Sequence, residues 1–216
     1  MYLPAHFREE RLEVLQGFIQ EHGFATLVTL SPEGLVANHL PFLLDAGRGI
    51  RGTLRGHVAR SNPVWKASRT DVDSLAVFQG PYGYISPSLY PTKAETGKVV
   101  PTWNYAVVHV YGPLCVIDDT EWLRTMVTDL TRRHESVRAR PWAVTDAPGE
   151  FVEQMLKAIV GIEIPISRIE GKWKMSQNRP PADREGVVAG LRTDGGPAGS
   201  ALAELVAEAQ KSPAKG

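Results

Sequence analysis

Between residues 103 and 111 the side chains alternate in character with a period of two, the signature of a β-strand. Trp103, Tyr105, Val107, His109 and Tyr111 fall on one face, and Asn104, Ala106, Val108 and Val110 on the other. After Asn104 the second face is small and apolar, which suits the interior of a barrel. The first carries three large aromatics with polar handles and a histidine. Such a face meets a flat ring or another subunit, or packs half-exposed under a loop.

The same reading extends along the chain. Leu12, Leu15, Phe18 and Ile19 sit at helical spacing within Arg8 to Gln20, and Gly23 ends that helix. Ala25 to Leu30 predicts a strand, Ser31 to Gly34 a tight turn, and Leu35 to Leu44 the hairpin partner. A turn at Asp45 to Gly49 leads into a third strand from Ile50 to about Gly56. A short helix follows from Asn62-Pro63 through Trp65, then a fourth strand from Ser74 to Gln79. Gly80 to Val100 reads as a loop rich in Gly, Pro, Ser and Tyr, a length usually reserved for function.

After the aromatic strand comes Leu114 to Ile117. Asp118 to Glu121 has the form of a capping box, and Trp122, Leu123, Met126, Val127 and Leu130 line a helix ending near His134. A loop from Val137 to Pro148 precedes a short helix, Phe151 to Lys157. Strands are expected at Ile159 to Ser167 and Lys172 to Ser176. The tail carries two modest helical stretches, Asp183 to Leu191 and Ala201 to Ala209, separated by a Gly/Pro linker from Gly195 to Gly199. Residues 211–216 read as a disordered tail. Hairpin-linked strands with a few helices predict a mainly β fold with added helices, a barrel or strongly curved sheet, rather than a doubly wound parallel sheet.

Charge narrows the function classes. Lys plus Arg and Asp plus Glu each number 24, so formal net charge is zero, which argues against a general polyanion binder. The lone cysteine, Cys115, allows no internal disulfide and fits a reducing cytoplasm. The first ten residues hold no apolar signal core, and no window approaches the roughly 18 apolar residues of a membrane span. A soluble, cytoplasmic protein is expected.

Four stretches carry candidate chemistry. Arg48 to Arg69 holds Arg48, Arg51, Arg55, Arg60, Lys66, Arg69 and His57 with no acid. Within it, Gly56 to Pro63 runs from a strand end through a turn into a helix start, where backbone N–H groups beside Arg60 and Ser61 suit a phosphate; the alternative is a solvated basic loop. Tyr82 to Tyr90 interleaves aromatics with hydroxyls and could cover a planar ligand or pack on its own barrel. Lys172 to Arg179 ends in residues able to donate and accept hydrogen bonds, or is a plain surface strand end. Arg132, Arg133, Arg138 and Arg140 form a second basic cluster, which more often marks a solvated face. Gly47 to Gly52 matches G-x-G-x-x-G, but a strand rather than a helix follows, so it reads as a hairpin turn. The six histidines show no metal-ligand spacing, and hydrolase and P-loop motifs are absent.

Several of these segments occur in order: Met1-Tyr2-Leu3-Pro4 with Phe7, His39-Leu40-Pro41-Phe42, Gly56 to Pro63, Tyr84-Ile85-Ser86-Pro87-Ser88 with Tyr90, Val100 to Tyr105, and Lys174 to Arg179. Together they resemble the PaiB family of FMN-binding negative transcriptional regulators, from Met1 to about Leu191. The resemblance implies an FMN-binding split β-barrel over residues 1–180, a C-terminal helical appendage over 181–210, and a homodimer with flavoprotein character, the FMN lying in the subunit interface. For the FMN phosphate it points to His57, Arg60, Ser61 and Asn62, with Lys174 as a second cation. Tyr84, Trp103 and Tyr105 are candidates for the ring walls, and Gln177, Asn104 and Ser86 for its polar edge. His39 shares a face with Leu35 and Ala37 and could instead be a core residue.

Repression of transcription is the function the family implies. A flavin-dependent oxidoreductase would share the same site, the cofactor carrying the chemistry. Binding of another planar cofactor, such as haem, is a remoter reading. No helix-turn-helix is evident, so direct DNA binding is expected to be weak and strongly salt-dependent.

Overall fold

The computed structural model describes residues 1–211, so the expected disordered tail lies, apart from the helix end at Lys211, outside the described residues. In chain order the strands are β1 Arg8–Glu9, β2 Phe24–Ser31, β3 Gly34–Pro41, β4 Leu43–Asp45, β5 Thr53–Ala59, β6 Ser74–Ile85, β7 Thr102–Gly112, β8 Cys115–Ile117, β9 Ile159–Pro165 and β10 Arg168–Lys174. The helices are α1 Leu12–Glu21, α2 Val64–Ala67, α3 Thr92–Thr96, α4 Thr120–Glu135, α5 Gly149–Lys157, α6 Pro181–Asp194 and α7 Gly196–Lys211. The chain divides into two compact units. The first comprises Met1–Leu15, Gln79–Val108 and the chain from Glu170 on; the second comprises Gln16–Phe78 and His109–Ile169.

In the second unit, β2 and β3 form the expected hairpin, paired in full register from Phe24↔Pro41 to Ser31↔Gly34. Gly34 adopts φ 116° and Ser31 Oγ donates to the Gly34 carbonyl at 3.1 Å, which closes the turn. β2 also pairs with β6 through Thr26↔Val77. A separate antiparallel sheet has the order β4-β5-β9-β8, with β5 and β9 matched from Thr53↔Pro165 to Ala59↔Ile159. Leu54 and Val58 on β5, with Val160, Ile162 and Ile164 on β9, are buried in the core. Leu123 of α4 packs with Val152 and Leu156 of α5 as a satellite core.

The expected strand from Leu35 to Leu44 is interrupted at Phe42, so β3 pairs with β2 while β4 pairs with β5. Phe42 turns inward beside Gly56, where an added Cβ would meet its ring at 3.1 Å. The third strand begins at Thr53 rather than Ile50, because Gly49 and Gly52 take positive φ and hold the preceding residues in a turn. The helix after β8 is capped by Asp119, whose Oδ1 accepts from Trp122 N at 2.7 Å, one residue later than the predicted box. That register leaves the Asp118 carboxylate free for other work.

In the first unit the sheet order is β1-β10-β7-β6, with Arg8↔Lys172 and Glu9↔Gly171 in register. The predicted loop from Gly80 to Val100 is largely structured. β6 continues to Ile85, a 3-10 turn spans Pro87–Leu89, and α3 follows. The two tail helices are longer than their apolar stretches suggested, and the linker shrinks to Gly195. Leu202, Ala203 and Val206 of α7 are fully buried, and the absence of a side chain at Gly83 leaves room for Leu202. Asp183 of α6 is buried and accepts from Thr92 N at 3.1 Å and from Thr92 Oγ1 at 2.9 Å, tying α6 to the start of α3. Among the described residues no helix is long and apolar enough to cross a membrane, and no group of three or more potential metal ligands converges.

Candidate functional site

The alternation that predicted β7 is observed except at Val107, which is buried as well. Asn104, Ala106, Val108 and Val110 are completely buried, while Trp103 on the opposite face is 53% exposed. Within the first unit Trp103 stands beside two aromatics of β6. Its ring centroid is 5.9 Å from that of Tyr84, nearly perpendicular at 70°, and 6.3 Å from that of Tyr82 at 35°. Tyr82 and Tyr84 are themselves 56% and 52% exposed. Burying large rings is strongly favourable, so a cluster of three left in solvent on one patch marks a surface suited to a planar apolar partner.

Three cations lie in the same unit. Lys174 Nζ donates to the Trp103 carbonyl at 2.7 Å and to Thr102 Oγ1. Burial first, then the charges of Lys172 and Arg179, push the Lys174 ammonium below the usual lysine range. Lys172 is buried, donates to the Tyr2 carbonyl at 3.0 Å, and lies 5.4 Å from the Tyr105 ring. The Arg179 guanidinium sits 4.8 Å from the centre of the Tyr90 ring. Among the described residues none of these three meets a carboxylate. An anion arriving here would therefore find uncompensated positive charge, and it would reverse the mutual repulsion that depresses Lys174.

The proposed polar-edge residues are engaged locally. Gln177 Oε1 accepts from Met175 N at 2.7 Å and its Nε2 donates to the Trp173 carbonyl at 2.6 Å, which shapes the end of β10. Ser86 Oγ accepts from Ser88 N at 3.2 Å and from Ser88 Oγ at 2.8 Å, capping the 3-10 turn. Asn104 is wholly buried and bonded to Ser176. Tyr105 is half-buried against Lys172.

The predicted phosphate turn lies in the second unit and differs from its expected chemistry. Arg60 Nη1 and Nη2 bind the Asp118 carboxylate at 3.0 and 2.6 Å. Its Nε donates to the Lys157 carbonyl at 2.8 Å, and Nη2 also donates to Ile159 O at 3.0 Å. Its charge is paired and its donors hold the end of β9. Burial pushes the His57 imidazole below the usual histidine range, favouring the neutral form, and its Nδ1 is buried with no hydrogen-bond partner. Asn62 Oδ1 accepts from Val64 N at 2.9 Å, and Nδ2 donates to Asn38 Oδ1 at 2.7 Å. This leaves α2, a single turn, with one fewer free amide. Ser61 is exposed. The sequence order Gly56 to Pro63 foretold the local backbone path; it could not foretell that Asp118, 58 residues away, would claim Arg60.

Residues that the sequence reading did not single out as site residues are Tyr82, Thr102, Lys172, Arg179 and Ser176. The available signal was the period of two through Gly80, Tyr82 and Tyr84, obscured by the Gly and Pro between them.

Residues 1–168 match a family model described as "Putative FMN-binding domain". The chain is 33% identical, over 98% of its length and 99% of the relative's, to "Protease synthase and sporulation protein PAI 2" of Bacillus subtilis. It is 36% identical to an uncharacterized protein of Emericella nidulans, covering 96% of this chain and 97% of that one. Among solved structures, the conserved hypothetical protein Rv2991 of Mycobacterium tuberculosis aligns with TM-score 0.56 at 15% identity, over 83% of this chain and 94% of that one. The FAD and heme binding protein of Mycobacterium smegmatis aligns with TM-score 0.54, also at 15% identity, over 85% and 80%. Likeness at that identity bears on the fold alone. The fold is the expected class, mainly β with added helices and of split-barrel type, its antiparallel sheets left open.

Proposed function

Since the chain belongs to the FMN-binding domain family, we propose that it binds FMN as a homodimer and acts in transcriptional regulation in the cytoplasm. The observation that carries the flavin reading is the exposed Tyr82–Tyr84–Trp103 cluster in a unit that also holds three cations without carboxylate partners. The residues fit the group. Tyr84 and Trp103, with Tyr82, offer ring walls; Lys174, backed by Lys172 and Arg179, offers charge for a phosphate that carries nearly two negative charges at neutral pH. Gln177 and Ser86 stand at backbone turns whose N–H and C=O groups could serve the polar edge. Bound flavin supplies reversible electron transfer, and the protein supplies binding and orientation.

The phosphate assignment shifts in weight from the turn at Gly56 to Pro63 toward Lys174. Arg60 would have to abandon a bidentate carboxylate to reach a ligand, whereas Lys174 would exchange only neutral acceptors. His57 and Ser61 remain available as neutral donors. For the dimer, β3 lies at the end of the strand order β6-β2-β3, with Leu35 strongly exposed and Phe24 exposed on β2. An apolar strand edge of this kind is a template for a second copy. The regulatory role rests on likeness to the Bacillus subtilis relative, and the charge balance supports only weak direct DNA binding.

The test is an absorbance and fluorescence titration of the purified protein with FMN, alongside size-exclusion chromatography. Saturable quenching of flavin fluorescence, weakened by Trp103→Ala, is the expected result; absence of quenching refutes the reading. Rapid reduction of the bound flavin by NAD(P)H, coupled to turnover of a small molecule, would instead favour an oxidoreductase.

A further inference from the structure

One opening in the second unit combines a mostly apolar wall with a charged rim and has no part in the flavin reading. It is a cleft of about 680 Å³ between the second half of α4 and the segment from Pro141 to Val152. That volume lies in the range of sites for small organic ligands. Its wall is mostly apolar, formed by Trp142, Val144, Ala147 and Val152. Trp142 is 48% exposed, a large ring left partly in solvent over a concave surface.

The polar groups at this cleft are biased toward positive charge. Arg132 lines it and is 73% exposed. Its carboxylate partner, Asp129, is shared: Asp129 accepts from Arg132 Nη1 at 3.4 Å and from Arg55 Nη2 at 3.4 Å. One carboxylate between two guanidinium groups leaves a net positive charge. Arg124 also lines the cleft, paired with Glu153. The charged residues that line the cleft are Arg124, Arg132 and Glu135, and Asp146 Oδ2 accepts from the lining residue Ala143 at 2.8 Å. Glu135 is engaged, its Oε2 accepting from Trp142 N at 3.0 Å, which holds the tryptophan loop against α4. The C-terminal end of α4 contributes roughly half a negative charge, opposing an anion, but the full charge of Arg132 at the cleft wall outweighs it.

We propose that this cleft binds a small amphipathic organic anion, an aromatic ring carrying a carboxylate or sulfonate. The ring packs against Trp142 and Val144, and the acid group lies toward Arg132. This assigns function to Arg132, the one member of the basic cluster that lines the cleft, and it is independent of flavin binding.

The probe is 1-anilinonaphthalene-8-sulfonate, compared with the neutral N-phenyl-1-naphthylamine, titrated into the folded full chain at low salt. Saturation at one cleft per chain is expected. Trp142→Ala is expected to weaken the sulfonate about tenfold. Thr131→Glu, which adds a carboxylate to the cleft wall on a helix that accepts glutamate readily, is expected to weaken the sulfonate about tenfold and the neutral amine less than about threefold. Trp103→Ala, which takes the aromatic patch of the first unit out of the comparison, retains the binding component that Trp142→Ala and Thr131→Glu weaken. No saturable binding, a sulfonate affinity that Thr131→Glu does not alter, or loss of binding in Trp103→Ala rather than Trp142→Ala would each overturn the proposal. Because Thr131→Glu removes no packing, it keeps the test decisive if Trp142→Ala fails to fold.

Discussion

Asn104 and Ser176 hold each other inside the first unit. Asn104 Nδ2 donates to Ser176 Oγ at 2.9 Å, the serine hydroxyl faces Asn104 Oδ1 at 3.3 Å, and both side chains are buried. Ser176 has φ 61°, the one non-glycine residue with positive φ among the described residues. A left-handed serine persists only when its surroundings over-determine it. Here the asparagine of β7 fixes the turn that ends β10 and thereby sets where Lys174 and Gln177 stand.

Breaking that pair should therefore cost more than a surface hydrogen bond. Asn104→Ala is expected to destabilise the protein by about 2–3 kcal/mol, because it strands a buried hydroxyl and leaves a small void. Ser176→Gly should cost less than Ser176→Ala, since glycine relieves the positive φ that alanine retains. Urea unfolding midpoints check both, and an alanine variant as stable as the glycine one would contradict the strain argument.

Lys174→Met should raise the Kd for FMN about tenfold or more, while Arg60→Ala should change it far less and chiefly loosen the contact with β9. Fluorescence titration separates the two effects. Equal losses of affinity would return the phosphate to the turn at Gly56 to Pro63.

Acid should weaken the fold through His57. Burial depresses its folded-state pKa below the usual histidine value of about 6.5, so between those values the unfolded chain binds a proton that the folded chain does not. Stability is then fully retained above about pH 6.5 and falls as pH drops through that value, by at most about 1.4 kcal/mol per pH unit for one histidine. His22, also lowered by burial, acts in the same direction. His57→Gln should flatten the slope between pH 7 and 5 in urea titrations; an unchanged slope would remove His57 as its source.

Gly112→Ala should be strongly destabilising, by about 3 kcal/mol or more. An added Cβ would collide with the Pro165 carbonyl and press on Ile164, and backbone cannot step aside as a flexible side chain can. Gly17→Ala, where a Cβ meets nothing, should be neutral or mildly stabilising in the same thermal melt.

Elements whose signal is local were legible in the sequence. The period of two in β7, the β2–β3 turn and the apolar stripe of α4 needed only neighbours a few residues away, and the structure reproduces them. The break at Phe42, the continuation of β6 through Gly80, Pro81 and Gly83, and the shift of the α4 cap to Asp119 were not legible. Each depends on a distant partner: Phe42 beside Gly56, Gly83 under Leu202, and Asp118 held by Arg60.

The candidate site divides along the same line. The sequence by itself determined which residue types are present, an aromatic strand face, a basic turn and a polar strand end, because side-chain chemistry and strand periodicity are properties of the chain. Only the tertiary structure decided which charges remain available. Arg60 and Lys174 are both cations in candidate motifs, yet one is closed by a carboxylate 58 residues away and the other meets only neutral oxygens. Electrostatic pairing falls off over a few ångströms, so it is settled by which segments fold together, and no spacing along the chain records that.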